Sequence, residues 1–519
     1  MPYTLSPKNN RDAVLIAQWS ADQPASLADL KTLQNALRGH IVLPTDPTYD
    51  TARKLFNPLF DPRPAMIVYC DVDQDVALAL GFARDHHMPV RVRAGGHSTA
   101  GFSAGPGMII DVSLMDDVCI DGAKATASVG PGCTFGKLNS VLDVHGLHVP
   151  GGDCAAVCVA GFMQGGGYSF TSRAFGMNCD NVLQIRVMLA DGRIVTASRT
   201  NNHDLWWAVR GGTGGNFGIV LGIVYRLHRL GDIFGFSITW LLTEPADRDR
   251  AAQALMVVQE KYLRSGAPPE MALRPMIGYQ STLPDRSDPL PYLLIRGVFV
   301  GPADEGSAGI APLLALDGAT LQYTKVGRYN ELDSYLMSVP RNLPELDPKR
   351  GMTDELKDSR YVERDLRPED WRSLLDFFIG TPNRWSFLLM EVYGGAINAI
   401  PREDSAFIHR SAAFSLYLDV FYYPDDDKDA CARYLEDFRA LMAPWWNGRI
   451  YQNYPTEDAP DFRRNYWGEA FPALLAVKQK YDPDNFFAFP QAITPDPAAP
   501  SAATWPAKVV ESVRHPIEY

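Results

Sequence analysis

Apolar and polar positions follow a β-α-β rhythm through the first quarter of the chain. Ala28 to Leu37 carries a helical pattern, Ile41-Val42-Leu43 reads as a short strand, and Tyr49 to Leu59 is again helix-like. From Ala65 the order is strand (Met66 to Tyr69), helix (Asp73 to His87), strand (around Val90) and strand (Met108 to Val112). Asp73 suits a helix N-cap, and Val76, Leu80 and Ala83 follow at spacings that share one helical face. A second unit runs from 114 to 230. Ala125 to Val129 predicts a strand, and Thr134 caps a helix to His145. Gln184 to Leu189, Ile194 to Ala197 and Gly218 to Leu227 predict strands, with a hairpin turn at Asp191-Gly192. Asp204 to Arg210 reads as a short helix.

After about residue 230 glycine loops give way to long strand and helix patterns. Strands are expected over Phe234 to Leu241, Met271 to Tyr279, Leu293 to Val300, Trp385 to Val392 and Phe414 to Tyr423. Helices are expected over Asp247 to Ser265 and Asp426 to Met442. The run Phe414 to Phe421 alternates cleanly. Leu416, Leu418 and Val420 share a face meant for helices; Ser415, Tyr417, Asp419 and Phe421 share the face that suits a cavity. Pro340 to Asp370 is charged and proline-punctuated, which predicts a surface excursion. Residues 494–505, rich in Pro and Ala, predict an irregular wrap.

Composition narrows the function classes. The 519 residues are 46% hydrophobic and 21% charged, ordinary for a globular protein of two or more domains. Lys plus Arg (49) against Asp plus Glu (61) gives a net charge of −12, which disfavours nucleic acid or an anionic membrane as partner. The seven cysteines include no CxxC pair, so neither a zinc ribbon nor a dithiol redox site is expected, and no metal is called for. The N-terminal stretch lacks an apolar core of signal-peptide type, and no run reaches the ~20 apolar residues of a membrane span. A cytoplasmic protein, monomer or homodimer, is the expectation.

The candidate chemistry lies in loops. Val90-Arg91-Val92-Arg93 runs into Ala94-Gly95-Gly96-His97-Ser98, where the glycines let backbone approach a bound group and His97 stands at the mouth. Glycines cluster again at 130–132, 165–167 and 211–218. None forms an in-register GxGxxG or a P-loop, yet several such loops can together cradle a pyrophosphate.

Five stretches occur in a telling order: Arg93-Ala94-Gly95-Gly96-His97, Gly152-x-Cys154-x-x-Val157, Gly165-Gly166-Gly167-Tyr168, Arg210-Gly211-Gly212-x-Gly214-Gly215-Asn216-Phe217-Gly218, and Asp482-Pro483-Asp484-Asn485-Phe486-Phe487. Together they resemble the berberine-bridge-enzyme-like FAD-linked oxidases, within the class that contains vanillyl-alcohol oxidase. The resemblance spans nearly the whole chain. It implies FAD held by two covalent links, a histidine at the flavin 8α-methyl and a cysteine at flavin C6. His97 matches the histidine. Cys154 and Cys158 compete for the second link. Counting back from Gly165 places the family cysteine on Cys154, with Ala155 where proline often follows. Cys158, where glycine is usual, reads as a small buried filler.

The same resemblance implies a flavin site built from Arg93, Ala94, Gly95, Gly96 and Ser98; from Gly152, Val157, Gly161, Gly166, Gly167 and Tyr168; and from Gly215, Asn216, Gly218, Ile219 and Val220. Tyr466 and Asn485 join them near the C-terminus. Val157 matches a position that governs oxygen access, and valine there resembles the oxygen-reactive type. Tyr451-Gln452-Asn453-Tyr454 resembles the family's Tyr-x-Asn-Tyr stretch. Tyr451 is the candidate base, and it needs a nearby cation or donors to bring its pKa below the usual value of about 10. Tyr417 and Asp419 are candidate helpers, Asp419 by hydrogen bonding unless it is simply solvated. Berberine-bridge enzymes proper carry a catalytic carboxylate on the comparable strand, where register here puts Leu418 or a neighbour, so alkaloid-type chemistry is in doubt.

The expected architecture is α+β. A lead-in (1–34) precedes a PCMH-type FAD-binding domain (35–230, subdomains about 35–113 and 114–230). A substrate domain (231–455) with a helix-covered antiparallel sheet follows, and a C-terminal segment (456–519) returns to the flavin. The expected activity is hydride transfer from an alcohol or hemiacetal of a carbohydrate to flavin N5, with O2 reduced to H2O2. A tailoring oxidase for a polycyclic or phenolic natural product, a dehydrogenase using another acceptor, and a binding protein without turnover are the competing readings.

Overall fold

The alternating runs become strands of three main sheets in the computed structural model, which describes residues 25–264, 266–281, 289–338, 353–459 and 461–494. The first sheet holds β1 (His40–Val42), β2 (Met66–Tyr69), β3 (Val90–Arg93) and β4 (Met108–Asp111), in the order β1-β2-β4-β3. β2, β4 and β3 are parallel, as the crossover helix Asp73–Asp85 between β2 and β3 requires. That helix begins at Asp73 itself, one residue earlier than an Asp73 N-cap would allow: Val72 holds the cap position. Asp75 instead receives the backbone N–H groups of Arg38, Gly39 and Asp71, pinning the entry to β1.

The second sheet is antiparallel, with β5 (Val118–Asp121), β6 (Thr126–Val129), β8 (Val182–Met188), β9 (Ile194–Ser198) and β10 (Ile219–Arg226) in the order β5-β6-β10-β8-β9. A small ribbon pairs β7 (Leu147–His148) with β11 (His228–Arg229). Thr134 caps the helix Phe135–Asp143, accepting from the Lys137 N–H at 3.3 Å.

The third sheet has seven antiparallel strands: β12 (Ile233–Leu241), β13 (Met271–Ser281), β14 (Pro289–Phe299), β15 (Thr320–Gly327), β16 (Asp354–Val362), β17 (Phe387–Val392) and β18 (Phe414–Tyr422), in the order β15-β12-β14-β13-β17-β18-β16. Leu416, Leu418 and Val420 of β18 enter an apolar cluster with the helices Pro245–Val258, Pro368–Ile379 and Lys428–Met442. The opposite face carries side chains of a different kind, described below.

Two further expectations change. Tyr49 to Leu59 is helical only over Tyr49–Ala52, because Asn57 and Pro58 divert the chain toward the third sheet. The charged stretch 340–370 is not an excursion where it is described: it contains β16, paired with β18 over its whole length, and the start of a helix at Pro368. The β16 charges Glu355, Lys357, Asp358 and Arg360 are sequestered in ion pairs, whereas Glu363, Arg364, Asp365, Arg367 and Glu369 beyond the strand are exposed. Residues 339–352 lie outside the described residues, as do 1–24 and 495–519, which include most of the expected lead-in and C-terminal wrap. Among the described residues, no helix is long and apolar enough to cross a membrane.

His148 is buried, bonds Thr171 Oγ1 through Nε2 at 2.7 Å, and has the Tyr329 ring 4.3 Å away. Burial pushes its pKa down to about 3. Unfolding lets it protonate near 6.5, so stability is unaffected above that pH and falls by about 1.4 kcal/mol per unit as pH drops toward 3. Thermal melts from pH 7 to 4 should therefore decline less steeply in His148→Gln than in the parent protein; equal slopes would refute the assignment.

Candidate active site

The polar face of the third sheet meets the glycine loops of the first two sheets around a cavity of about 710 Å³. His97 and Ser98 line it from the loop after β3. Cys154 and Val157 line it from the loop after β7. Gly215, Gly218 and Val220 contribute from the approach to β10, and Tyr466 from the C-terminal part. The cavity also takes in Ala94, Gly95, Gly96, Gly152, Gly161 and Tyr168.

His97 stacks on Phe56 with ring centroids 4.8 Å apart, and its Nδ1 proton is held by the Gly95 carbonyl at 2.8 Å. Burial lowers its pKa from the ordinary histidine value, the Gly95 contact pulling the other way. Gly96 adopts φ +68, a left-handed turn that presents the histidine. Cys154 is exposed, whereas Cys158 is buried and its Sγ donates to the Gly132 carbonyl at 3.2 Å. Burial pushes the Cys158 thiol up to about 12, which suits an inert filler.

Other residues expected at the flavin stand behind the wall. Arg93 is ion-paired with Asp111 and bonds the Tyr69 hydroxyl at 3.2 Å. Ile219 belongs to the core. Asn216 braces its own loop through Gly212 and Thr213 and receives the Ile493 N–H at 2.8 Å. Gly166 and Gly167 take φ of +113 and +82. Asn485 is exposed and lies off the cavity; its φ of +51 serves a turn, and Phe487, Ala488, Phe489 and Gln491 reach the wall instead.

Tyr451 is fully buried. Its hydroxyl oxygen receives the N–H groups of Gly167 (2.9 Å) and Tyr168 (3.0 Å) and the Asn453 amide (3.1 Å). Burial raises its pKa further than these donors lower it. Tyr454 differs: its hydroxyl donates to Glu391 Oε1 at 2.7 Å, and Lys357 Nζ lies 4.3 Å from its ring and 4.5 Å from that of Tyr417. Burial raises the Glu391 pKa, opposed by Arg274, by the Tyr454 hydrogen bond and by Lys357.

Asp419 is not solvated. It is 3% exposed and ion-paired to Lys357 at 2.8 Å, directly across the β16–β18 register. Glu355, two residues before Lys357, is pushed up to about 8 by burial, with Lys357 opposing. Burial works against the charge on Lys357, but Asp419 and Glu355 outweigh it and raise its pKa. Glu355, Lys357, Glu391 and Arg274 were not singled out from sequence. Glu355-Leu356-Lys357-Asp358-Ser359 is polar at four of five positions and so gives no clear alternation that would have marked it as a strand.

The loops and the sheet are stitched together. Asn57 donates to the carbonyls of Thr99 (3.3 Å) and Glu355 (2.8 Å) and accepts from the Glu355 N–H, and Thr99 Oγ1 donates to the Pro455 carbonyl at 2.8 Å. The wall also fits a polar cofactor. Arg91 Nε and Ser103 Oγ are buried donors without partners, and a Cβ on Gly161 would meet only open space.

A family model described as FAD binding domain matches residues 64–198, and one described as berberine and berberine like matches 450–494. The FAD-linked oxidoreductase YvdP of Bacillus subtilis (strain 168) is 30% identical over 471 residues, covering 88% of this chain and 98% of its own. The chain belongs to the berberine-bridge-enzyme-like family of FAD-linked oxidoreductases. This FAD-linked oxidoreductase is also similar to a carbohydrate oxidase of Microdochium nivale, 27% identical over 509 residues, with 92% of this chain and 97% of that one covered. In fold it matches the xylooligosaccharide oxidase of Myceliophthora thermophila solved with xylobiose, at TM-score 0.78 and 24% identity, covering 90% of this chain and 99% of the other.

The C-terminal part of the oxidoreductase is anchored by Lys478. Its buried ammonium bonds the carbonyls of Asn216 (2.7 Å) and Phe487 (2.7 Å) and pairs with Asp482 at 2.6 Å. Lys478→Met leaves Asp482 buried without its cation and should cost about 3–5 kcal/mol. Urea denaturation of the FAD-loaded protein reads the loss, and a change below about 1 kcal/mol would contradict it.

Proposed function

We propose that this FAD-linked oxidoreductase is an oxidase that removes a hydride from a carbon bearing a hydroxyl, on an alcohol or hemiacetal of a carbohydrate or glycoside. The observation that carries this reading is the Tyr454–Glu391 pair at 2.7 Å, on a cavity shared with His97 and Cys154. FAD, when bound, supplies the two-electron acceptor that O2 reoxidises with release of H2O2. His97 and Cys154 would hold it at the 8α-methyl and at C6.

Hydride loss from an alcohol carbon requires loss of the hydroxyl proton. Tyr454 meets that need without becoming a free phenolate: its oxygen takes the substrate proton as its own proton passes to Glu391. Burial keeps the Tyr454 pKa well above its ordinary value, which favours this relay. Tyr451, its oxygen already receiving three N–H groups, fits better as the brace of the Gly167–Tyr168 loop. Tyr417 and Asp419 set the position of Lys357 beside both tyrosine rings.

The wall also bears on substrate class. Glu355, Lys357, Asp419, Arg274 and Asp153 give the cavity charged, hydrogen-bonding surface beside the aromatic rings of Phe387, Tyr417 and Phe421. Sugars present hydroxyls to such edges and C–H faces to such rings. A polycyclic hydrocarbon skeleton would leave buried carboxyl oxygens such as Glu355 Oε2 without a partner. The carbohydrate oxidase and xylooligosaccharide oxidase relatives support the same choice. Val157 on the wall supports O2 as acceptor over dehydrogenase chemistry.

Acid precipitation should leave the yellow colour in the pellet, and peptide mapping should find flavin on peptides containing His97 and Cys154. An oligosaccharide screen read by peroxide release should then identify a substrate. With that substrate, Tyr454→Phe should slow flavin reduction by about 10²–10⁴-fold. Reduction at the parent rate would move the proton transfer to another group, and colour in the supernatant would reject the tethers.

A further inference from the structure

We propose that Arg274 is a positioning residue that holds the Cys154 loop and the Tyr454–Glu391 pair in one frame. This rests on the reading of Cys154 as a flavin tether given above and adds what places it. Arg274 lies on β13 with its side chain 4% exposed. One guanidinium nitrogen pairs with Asp153, the residue before Cys154, and the other with Glu391 Oε1 at 3.2 Å. That same carboxylate oxygen accepts the Tyr454 hydroxyl. The guanidinium also lies over Tyr168 (5.2 Å) and Phe170 (4.9 Å), at the end of the glycine loop.

The geometry of the Cys154 loop explains why this contact matters. Its downstream half is latched by backbone hydrogen bonds: Phe135 N–H to the Val157 carbonyl and Gly136 N–H to the Ala155 carbonyl, both 3.0 Å. These fix residues 155–157. Asp153 fixes the upstream side through its side chain, so Cys154 sits between two anchors on different parts of the fold. The Asp153 anchor ends on the third sheet, which also carries Glu391. A buried arginine with two carboxylates is costly to assemble and costly to break. Arg296 stands directly opposite Arg274 in the β13–β14 register, so the carboxylates are also needed to offset two adjacent guanidinium groups. The arrangement fixes relative position, since an arginine fork accepts its partners only in defined directions.

Tether formation makes one C–S bond between Cys154 Sγ and flavin C6. The thiol proton and the C6 proton leave, and the two electrons released are taken up by O2, which becomes H2O2. Nothing in that balance calls on Asp153 or Arg274 as reactants. Their part is placement of the sulfur, and misplacement by about 1 Å is enough to slow such a step by roughly 10²-fold.

The test is peptide mapping of the purified holoprotein, with flavin at His97 and at Cys154 quantified separately. The parent protein, Asp153→Asn, Arg274→Gln and Arg274→Lys are compared. Asp153→Asn and Arg274→Gln should keep the His97 link and lose most of the Cys154 link, at least about tenfold in the linked fraction, given the slower step. Arg274→Lys, which keeps the charge, should recover part of it. A general loss of structure would instead lower both links together and leave Arg274→Lys without effect; that result overturns the proposal, as does full Cys154 linkage in both Asp153→Asn and Arg274→Gln. If Arg274→Gln does not accumulate, Asp153→Asn decides, because it leaves Arg274 paired with Glu391. A parent protein linked at His97 alone would reject the tether reading itself, and the positioning role with it, whereas a doubly linked parent with doubly linked variants rejects only the positioning role.

Discussion

Charges buried at one junction set the requirements for the rest of this molecule. Arg274, Lys357, Asp153, Glu355, Glu391 and Asp419 lie between the polar face of the seven-stranded sheet and the glycine loops, each nearly out of water. An isolated buried charge costs several kcal/mol, and removing one partner of a buried pair costs about 3–5 kcal/mol. One of these pairs, Asp153 with Arg274, closes only when sheet and loops dock, because Asp153 belongs to the loops and Arg274 to the sheet; the Arg274–Glu391 and Lys357 pairs lie within the sheet. The docking is thus specified by electrostatics as much as by apolar burial. Asn57, bonded to Thr99 on one side and to Glu355 on the other, does the same with neutral groups.

The fold was legible wherever one face of an element is apolar. β3 and β18 follow their hydrophobic alternation and β2 and β4 their continuous apolar runs, and the glycine-rich loops fall where the spacing of Gly95, Gly166 and Gly215 puts them. β16 was not legible, for a physical reason. Glu355, Lys357 and Ser359 on its cavity face, and Asp358 and Arg360 on the other, make a strand that is polar on both sides, which in isolation describes a solvated segment. Only tertiary partners make it a strand: Asp419 across the register for Lys357, and Arg439 for Asp358. Tyr49 to Leu59 failed the other way. Its helical pattern is real over four residues, and Asn57 then leaves the helix to bond the third sheet.

The candidate site divides similarly. The loop residues were visible because glycine, histidine and cysteine at fixed spacing have few other reasons to occur together. The pair proposed to handle the proton was not, since Tyr454 and Glu391 are 63 positions apart, and Arg274 and Glu391 are 117 apart. Periodicity carries no information about such pairs. Tyr451 drew attention through its place in a motif, while its neighbour three residues on carries the hydroxyl that reaches a carboxylate.

This division gives the two faces of the third sheet separate freedom to change. On β18 the odd positions Tyr417 and Asp419 face the cavity and the even positions Leu416 and Leu418 face helices; on β17 Phe387, Leu389 and Glu391 share the cavity face. A substitution at Phe387 or Phe421 alters the wall without touching the helix-packed core, because the two sets alternate along the same strands. The cofactor loops hang from other sheets and meet this sheet through Asp153, Asn57 and Tyr168, whose hydroxyl donates to the Val392 carbonyl. Substrate range can therefore vary through the cavity-facing aromatics while those junction contacts are kept. Arg274 is the exception, since it belongs to the wall and the junction at once, and a change there alters both.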